Sequence, residues 1–172
     1  MKRTLLLVAL AVFSLAPCSA LSQSNSMASM GMGAHGYDFL VGTWMCVNSV
    51  PSPVGGPATS QLTASRSGAG DSISVHLAGT GFDALGYVSY SSKTKTWYGP
   101  TAYADGSYST ESSQQTGNKV VWSGSYFDAA SGKSIPIRDT YTLAGSGKYT
   151  DLSESQIGDT WKTSGNITCT KS

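Results

Sequence analysis

From Tyr37 onward the chain is a succession of short runs in which apolar and polar side chains alternate, each bounded by Gly, Pro, Asn, Asp or Ser. Successive side chains of a strand point to opposite faces, so the alternation can be followed residue by residue. In "DSISVHLAG", Ile73, Val75 and Leu77 share one face and Ser74 and His76 the other. In "NKVVWSGSYF", Val120, Trp122, Gly124 and Tyr126 line up. In "SIPIRDTYTL", one face carries Ile135, Ile137, Asp139, Tyr141 and Leu143, which sets an acid inside an apolar stripe. "YDFLVG" reads as a brief helical turn entering a first strand with Trp44 and Cys46 on one face. Nine later segments follow, from "ATSQLTASR" to "TWKTSGNITCTK", and "AASGK", "AGSGK" and "QTGN" supply the glycines that tight hairpins use. The pattern predicts an all-β domain over residues 37–172 with mostly antiparallel neighbours.

The first 36 residues differ. Lys2 and Arg3 precede an apolar run from Leu5 to Phe13, and small residues follow at Cys18 and Ala20. Residues 1–20 therefore read as a secretory signal peptide cleaved after Ala20, since the apolar run is too short to span a bilayer. "LAPC" also approaches a lipoprotein signal with Cys18 as the anchor, but Pro17 stands where a small non-proline residue is wanted. Residues 21–36, "LSQSNSMASMGMGAHG", lack alternation and bulky branched side chains, and are expected to be a disordered tail. The location implied is periplasmic or secreted.

Export changes the reading of the three cysteines. Cys18 leaves with the leader, and the pair that remains, Cys46 and Cys169, is expected to form a disulfide in an oxidising compartment; two separate buried thiols are the alternative. The two lie in the first and last strands, so a bond would set those strands side by side. An up-and-down meander would then close into an antiparallel β-barrel of about eight to ten strands without exposed edges, whereas a sandwich shows the same local pattern without closure.

"YDFLVGTW" resembles the start of lipocalin-like barrels, in which Gly-x-Trp, here Gly42, Thr43 and Trp44, opens the first strand. With "IPIRDTYTL" and the C-terminal "ITCTK", the chain from Tyr37 to Lys171 is similar to exported, uncharacterised bacterial members of that broad group, which includes the nitrobindin-type barrels. The resemblance implies that the Trp44 indole plugs the closed end of the barrel. It also implies a basic residue stacked on that Trp; no Arg follows Arg138, which leaves Lys162 or Lys171 for the role. Nitrobindin-type barrels hold haem through a histidine near the C-terminus, and no histidine follows His76 here, so the resemblance implies fold rather than haem.

Composition narrows function mainly by exclusion. Charged residues are 12% of the 172 and the formal net charge is +1, with no basic patch for nucleic acid. No nucleophile elbow, phosphate-binding glycine loop, zinc spacing or calcium loop occurs, and no cofactor is called for. Met27, Met30, Met32 and His35 offer soft ligands suited to Cu(I), although such residues in a tail are ordinarily unstructured chain, and no metal site is assigned. The leading expectation is a non-catalytic barrel that binds a small, partly apolar molecule in its lumen. Its lining would come from Trp44, Trp97, Trp122, Tyr141 and Trp161, with Asp139 as polar anchor. A structural or interaction module with a filled interior is the second reading, and an enzyme using Asp139 or His76 the third.

Overall fold

The computed structural model describes residues 35–50, 57–67, 71–116 and 119–172. The leader, the tail up to residue 34, Cys18 and the three tail methionines lie outside the described residues. His35 and Gly36, assigned to the tail, belong to a turn that leads into a 3-10 helix, Asp38–Leu40.

Ten strands follow: β1 (Gly42–Asn48), β2 (Thr59–Arg66), β3 (Ser72–Gly79), β4 (Phe82–Ser91), β5 (Thr96–Tyr103), β6 (Tyr108–Thr116), β7 (Lys119–Asp128), β8 (Lys133–Leu143), β9 (Lys148–Ile157) and β10 (Thr160–Lys171). Each pairs antiparallel with its sequence neighbours, and β1 pairs with β10, so the sheet is a closed up-and-down barrel, consistent with a lipocalin-like fold. Closure excludes the sandwich and leaves no unpaired edge. At the seam Cys46 lies directly opposite Cys169, and the two are disulfide-bonded with sulfurs 2.01 Å apart. Among the described residues no helix is long and apolar enough to cross a membrane.

One end of the barrel is plugged from within. The 3-10 turn turns Tyr37, Phe39 and Leu40 inward, and Tyr37, 1% exposed, packs edge-on against Trp97 and Trp122 at centroid distances of 4.7 and 5.3 Å. Phe39 and Trp44 both meet Tyr149, at 5.8 and 5.0 Å. The Trp44 indole donates a hydrogen bond from Nε1 to the Leu40 carbonyl oxygen at 2.8 Å, which ties β1 to the plug. Outside, Arg66 at the end of β2 forms an ion pair with Asp38 and donates to His35 Nδ1 at 2.9 Å, clasping the turn to the rim.

The Gly-x-Trp triplet has a local explanation. Gly42 has φ of +128°, and a Cβ there would come within 2.8 Å of Lys171 Cε. Glycine therefore lets the Lys171 stem cross β1 and bring its ammonium 5.3 Å from the centre of the Trp44 ring. Lys171, not Lys162, is the late basic residue on that tryptophan.

Candidate functional site

The half of the barrel away from the plug holds a cavity of about 480 Å³. Its walls are mixed. Leu62, Val75, Leu77, Ile137 and Ile167 supply apolar surface, and an aromatic row runs Phe82 to Tyr103 (5.8 Å) and Tyr103 to Tyr126 (5.4 Å) in edge-to-face contacts. Between these walls stand three carboxyls: Glu111 from β6, Asp139 from β8 and Asp151 from β9.

Register explains why they meet. Glu111 lies opposite Gly124 of β7, and Asp139 opposite Trp122, one inward position along the same strand. Gly124 contributes no side chain, so the two acids reach each other across β7 and are hydrogen-bonded carboxyl to carboxyl. β6 and β7 approach so closely that a Cβ at Gly124 would overlap the Thr110 carbonyl oxygen and lie 2.8 Å from Glu111 Cα. On the other side, Asp139 pairs in register with Ser153 and Tyr141 with Asp151. The Ser153 side chain lies beside both aspartates and holds each below where burial alone would put it, although its single hydroxyl proton can be donated to only one of them at a time.

Burial dominates the electrostatics. It pushes Glu111 up to about 10, assisted by the Asp139 charge, the hydrogen bond to Asp139 and the Asp151 charge. Asp151 is held well above the usual carboxylate range by burial and then by Asp139. Asp139 is also raised by burial, partly offset by its hydrogen bonds to Glu111 and Ser153. At neutral pH Glu111 is the protonated member and donates to Asp139. Tyr103 and Tyr141 are raised too, chiefly by burial, and remain neutral phenols. Among the described residues that line the cavity there is no Lys, Arg or His to balance these acids. Asp151 Oδ1 and Glu111 Oε1 have no hydrogen-bond partner. The arrangement offers two free acceptors and a shared proton at the base of an amphipathic cleft.

The residues expected to line the lumen divide into three groups. Asp139 and Tyr141 line the cavity, and Trp122 lines a smaller inner cavity of about 90 Å³ that shares Glu111 and Tyr141 with it. Trp44 and Trp97 are buried in the plug, where they floor the barrel. Trp161 lies on the outer wall beneath Arg138, whose guanidinium carbon is 4.5 Å from its ring centre. Strict alternation from the inward Cys169 would have carried Trp161 inward, but a β-bulge between Thr163 and Gly165 reverses the parity. Arg138 in turn makes a two-pronged ion pair with Glu154 at 2.6 and 2.9 Å. His76 also faces outward, 3.1 Å from Asp83.

Glu111, Asp151, Tyr103 and Tyr126 were not among the expected site residues. Tyr126 already lay on the inward stripe of β7, and Asp151 stands two residues after the inward Tyr149, so period-2 counting could have found both. Glu111 had no such signal. Its neighbours on the inner face are Ser109 and Ser113, which read as a solvent face.

Among the described residues no group of three or more His, Cys, Asp or Glu side chains is arranged to hold a metal ion. No protein-family model matches the chain, and no curated protein is significantly similar to it.

Proposed function

We propose that this chain is an exported, lipocalin-like carrier or sensor that binds a small, partly apolar molecule in its lumen without catalysis. The observation that carries the reading is the cavity of about 480 Å³, which falls within the roughly 300–1,000 Å³ of small-ligand sites. Its lining also has their usual character, apolar and aromatic walls around a few polar groups. The plug fills only one end, which favours this reading over a module whose interior is fully packed. Export is supported by the signal-peptide pattern of residues 1–20 and is compatible with the Cys46–Cys169 disulfide. Kinship with exported bacterial lipocalin-like barrels rests on "YDFLVGTW", "IPIRDTYTL" and "ITCTK" together with the ten-strand closure.

The test is a titration of the mature protein with neutral quinones and medium-chain alcohols, read by tryptophan fluorescence, because Trp122 borders the inner end of the lumen. Saturable quenching that is abolished by Leu77→Trp, which fills the cavity, is the expected result. Binding unaffected by that substitution would move the site elsewhere.

A further inference from the structure

Given the lumen as a ligand site, the reading on which this inference rests, the geometry points to a cationic ligand: a small organic amine whose ammonium sits between Asp151 and Glu111 and whose apolar body lies against the tyrosine wall. Four observations converge on it.

The first is an unanswered acceptor. Asp151 is 8% exposed and lines the cavity, yet its Oδ1 accepts no hydrogen bond. Buried polar groups are almost always paired, and a lone carboxylate oxygen calls for a donor from outside the fold. Glu111 Oε1 is likewise without a partner.

The second is sign. Asp139 and Asp151 inside the cavity and Asp83, Asp105 and Glu154 at its rim share the described lining with no Lys, Arg or His, so a positive ligand is favoured over an anionic one, such as a fatty acid. A primary ammonium also brings three N–H donors, enough to serve both free oxygens, whereas an alcohol brings one. The third is the wall. Tyr103, Tyr126 and Phe82 form a continuous aromatic row on the same cavity, and aromatic rings favour a cation or an apolar body within reach of their faces. The fourth concerns bare metal ions. The carboxyls are not grouped as a metal cage, and Val75, Leu77 and Ile137 would be left without a partner by an inorganic ion.

Three probes that share one body and differ in charge test this: phenethylamine, phenethyl alcohol and phenylacetate, each titrated calorimetrically into the mature disulfide-bonded protein at neutral pH. Phenethylamine is expected to bind at least about tenfold more tightly than the alcohol, with no detectable binding of phenylacetate. Asp151→Asn, which keeps the shape but replaces an acceptor oxygen by an amide, is expected to weaken the amine by about tenfold or more and to leave the alcohol unchanged. Asp151→Ser, which removes the carboxyl altogether, carries the same expectation if Asp151→Asn fails to fold by circular dichroism. Equal binding of amine and alcohol overturns the charge recognition and leaves the lumen site standing. Amine binding indifferent to both substitutions places the cation elsewhere and overturns the inference. No binding by any of the three, nor by the quinones and alcohols, overturns both.

Discussion

The carboxyl of Glu111 on β6 is hydrogen-bonded to the carboxyl of Asp139 on β8, with only the bare backbone of Gly124 between them on β7. Two acids in contact inside a barrel must share a proton, and that proton links stability to pH.

Glu111 titrates at about 10 in the folded barrel against roughly 4.3 in an unfolded chain. Between those values the folded state holds a proton that the unfolded state has released. Stability is therefore greatest below the unfolded value and is lost as pH rises toward the folded one. Asp139 and Asp151 are shifted in the same direction. The side chains of Tyr103, Tyr126 and Tyr141 and the rim acids Asp83, Asp105 and Glu154 are the other ionisable groups that line the cavity. The thermal midpoint is expected to fall steadily from about pH 5 to about pH 9. Glu111→Gln supplies a permanent donor to Asp139 and should flatten that fall, raising the midpoint at about pH 8 by roughly 3 °C or more. Calorimetric scans across this range check it; a flat wild-type profile would contradict it.

Gly124→Ala is expected to destabilise the barrel by roughly 2 kcal/mol or more, since the added carbon overlaps the β6 backbone at Thr110 and Glu111 and neither strand can yield without breaking register. Gly147→Ala serves as the control. A Cβ there meets nothing within 4 Å, and urea denaturation should find it within about 0.5 kcal/mol of wild type.

Breaking the Cys46–Cys169 bond frees a loop whose ends are 123 residues apart. The chain-entropy account assigns such a crosslink about 4 to 5 kcal/mol. A reduced sample, or the double replacement of both cysteines by alanine, is expected to unfold at a markedly lower denaturant concentration. Because β1 and β10 also pair through backbone hydrogen bonds, the barrel should still close at low denaturant. Two thiols that alkylate freely in native, oxidised protein would count against the pairing.

Lys171→Met keeps an apolar stem across Gly42 and removes only the charge above Trp44. The expected cost is about 0.5–1 kcal/mol, the range of a partly exposed cation–π contact. Lys171→Ala removes the stem as well and should cost more. A larger loss from Met than from Ala in a denaturant series would refute the stacking role.

Exported material should have the intact mass of a chain that begins at Leu21. Retention of Met1 or a lipid on Cys18 would replace the soluble-export reading with another route.

Much of the architecture is written locally. Candidate strand segments and hairpin order follow from period-2 alternation and turn residues, both of which act within a few positions, so a barrel of eight to ten strands could be marked before any tertiary contact was known, and closure sets the number at ten. The closing pair was legible because Cys46 and Cys169 sit at opposite ends of the meander. Asp139 stood out because it interrupts an apolar stripe.

The site itself was only half legible, and β6 shows why. Its inward residues are Ser109, Glu111 and Ser113, the last only 1% exposed, while the outward Tyr108 is 49% exposed. Alternation alone would turn that strand inside out, because closure buries whatever faces the axis regardless of its own hydrophobicity. Likewise one extra residue at the Thr163–Gly165 bulge sent Trp161 outward, against the parity of its strand. What the sequence by itself determined is the strand inventory, the hairpin order and the cysteine pair, since each depends on near neighbours or on a single crosslink. Only the tertiary structure decided which polar face turned inward, that Glu111, Asp139 and Asp151 converge from three strands, and that the plug fills one end and leaves a cavity at the other. Those outcomes depend on what lies across the barrel, many residues away in the chain, and no local pattern carries that distance.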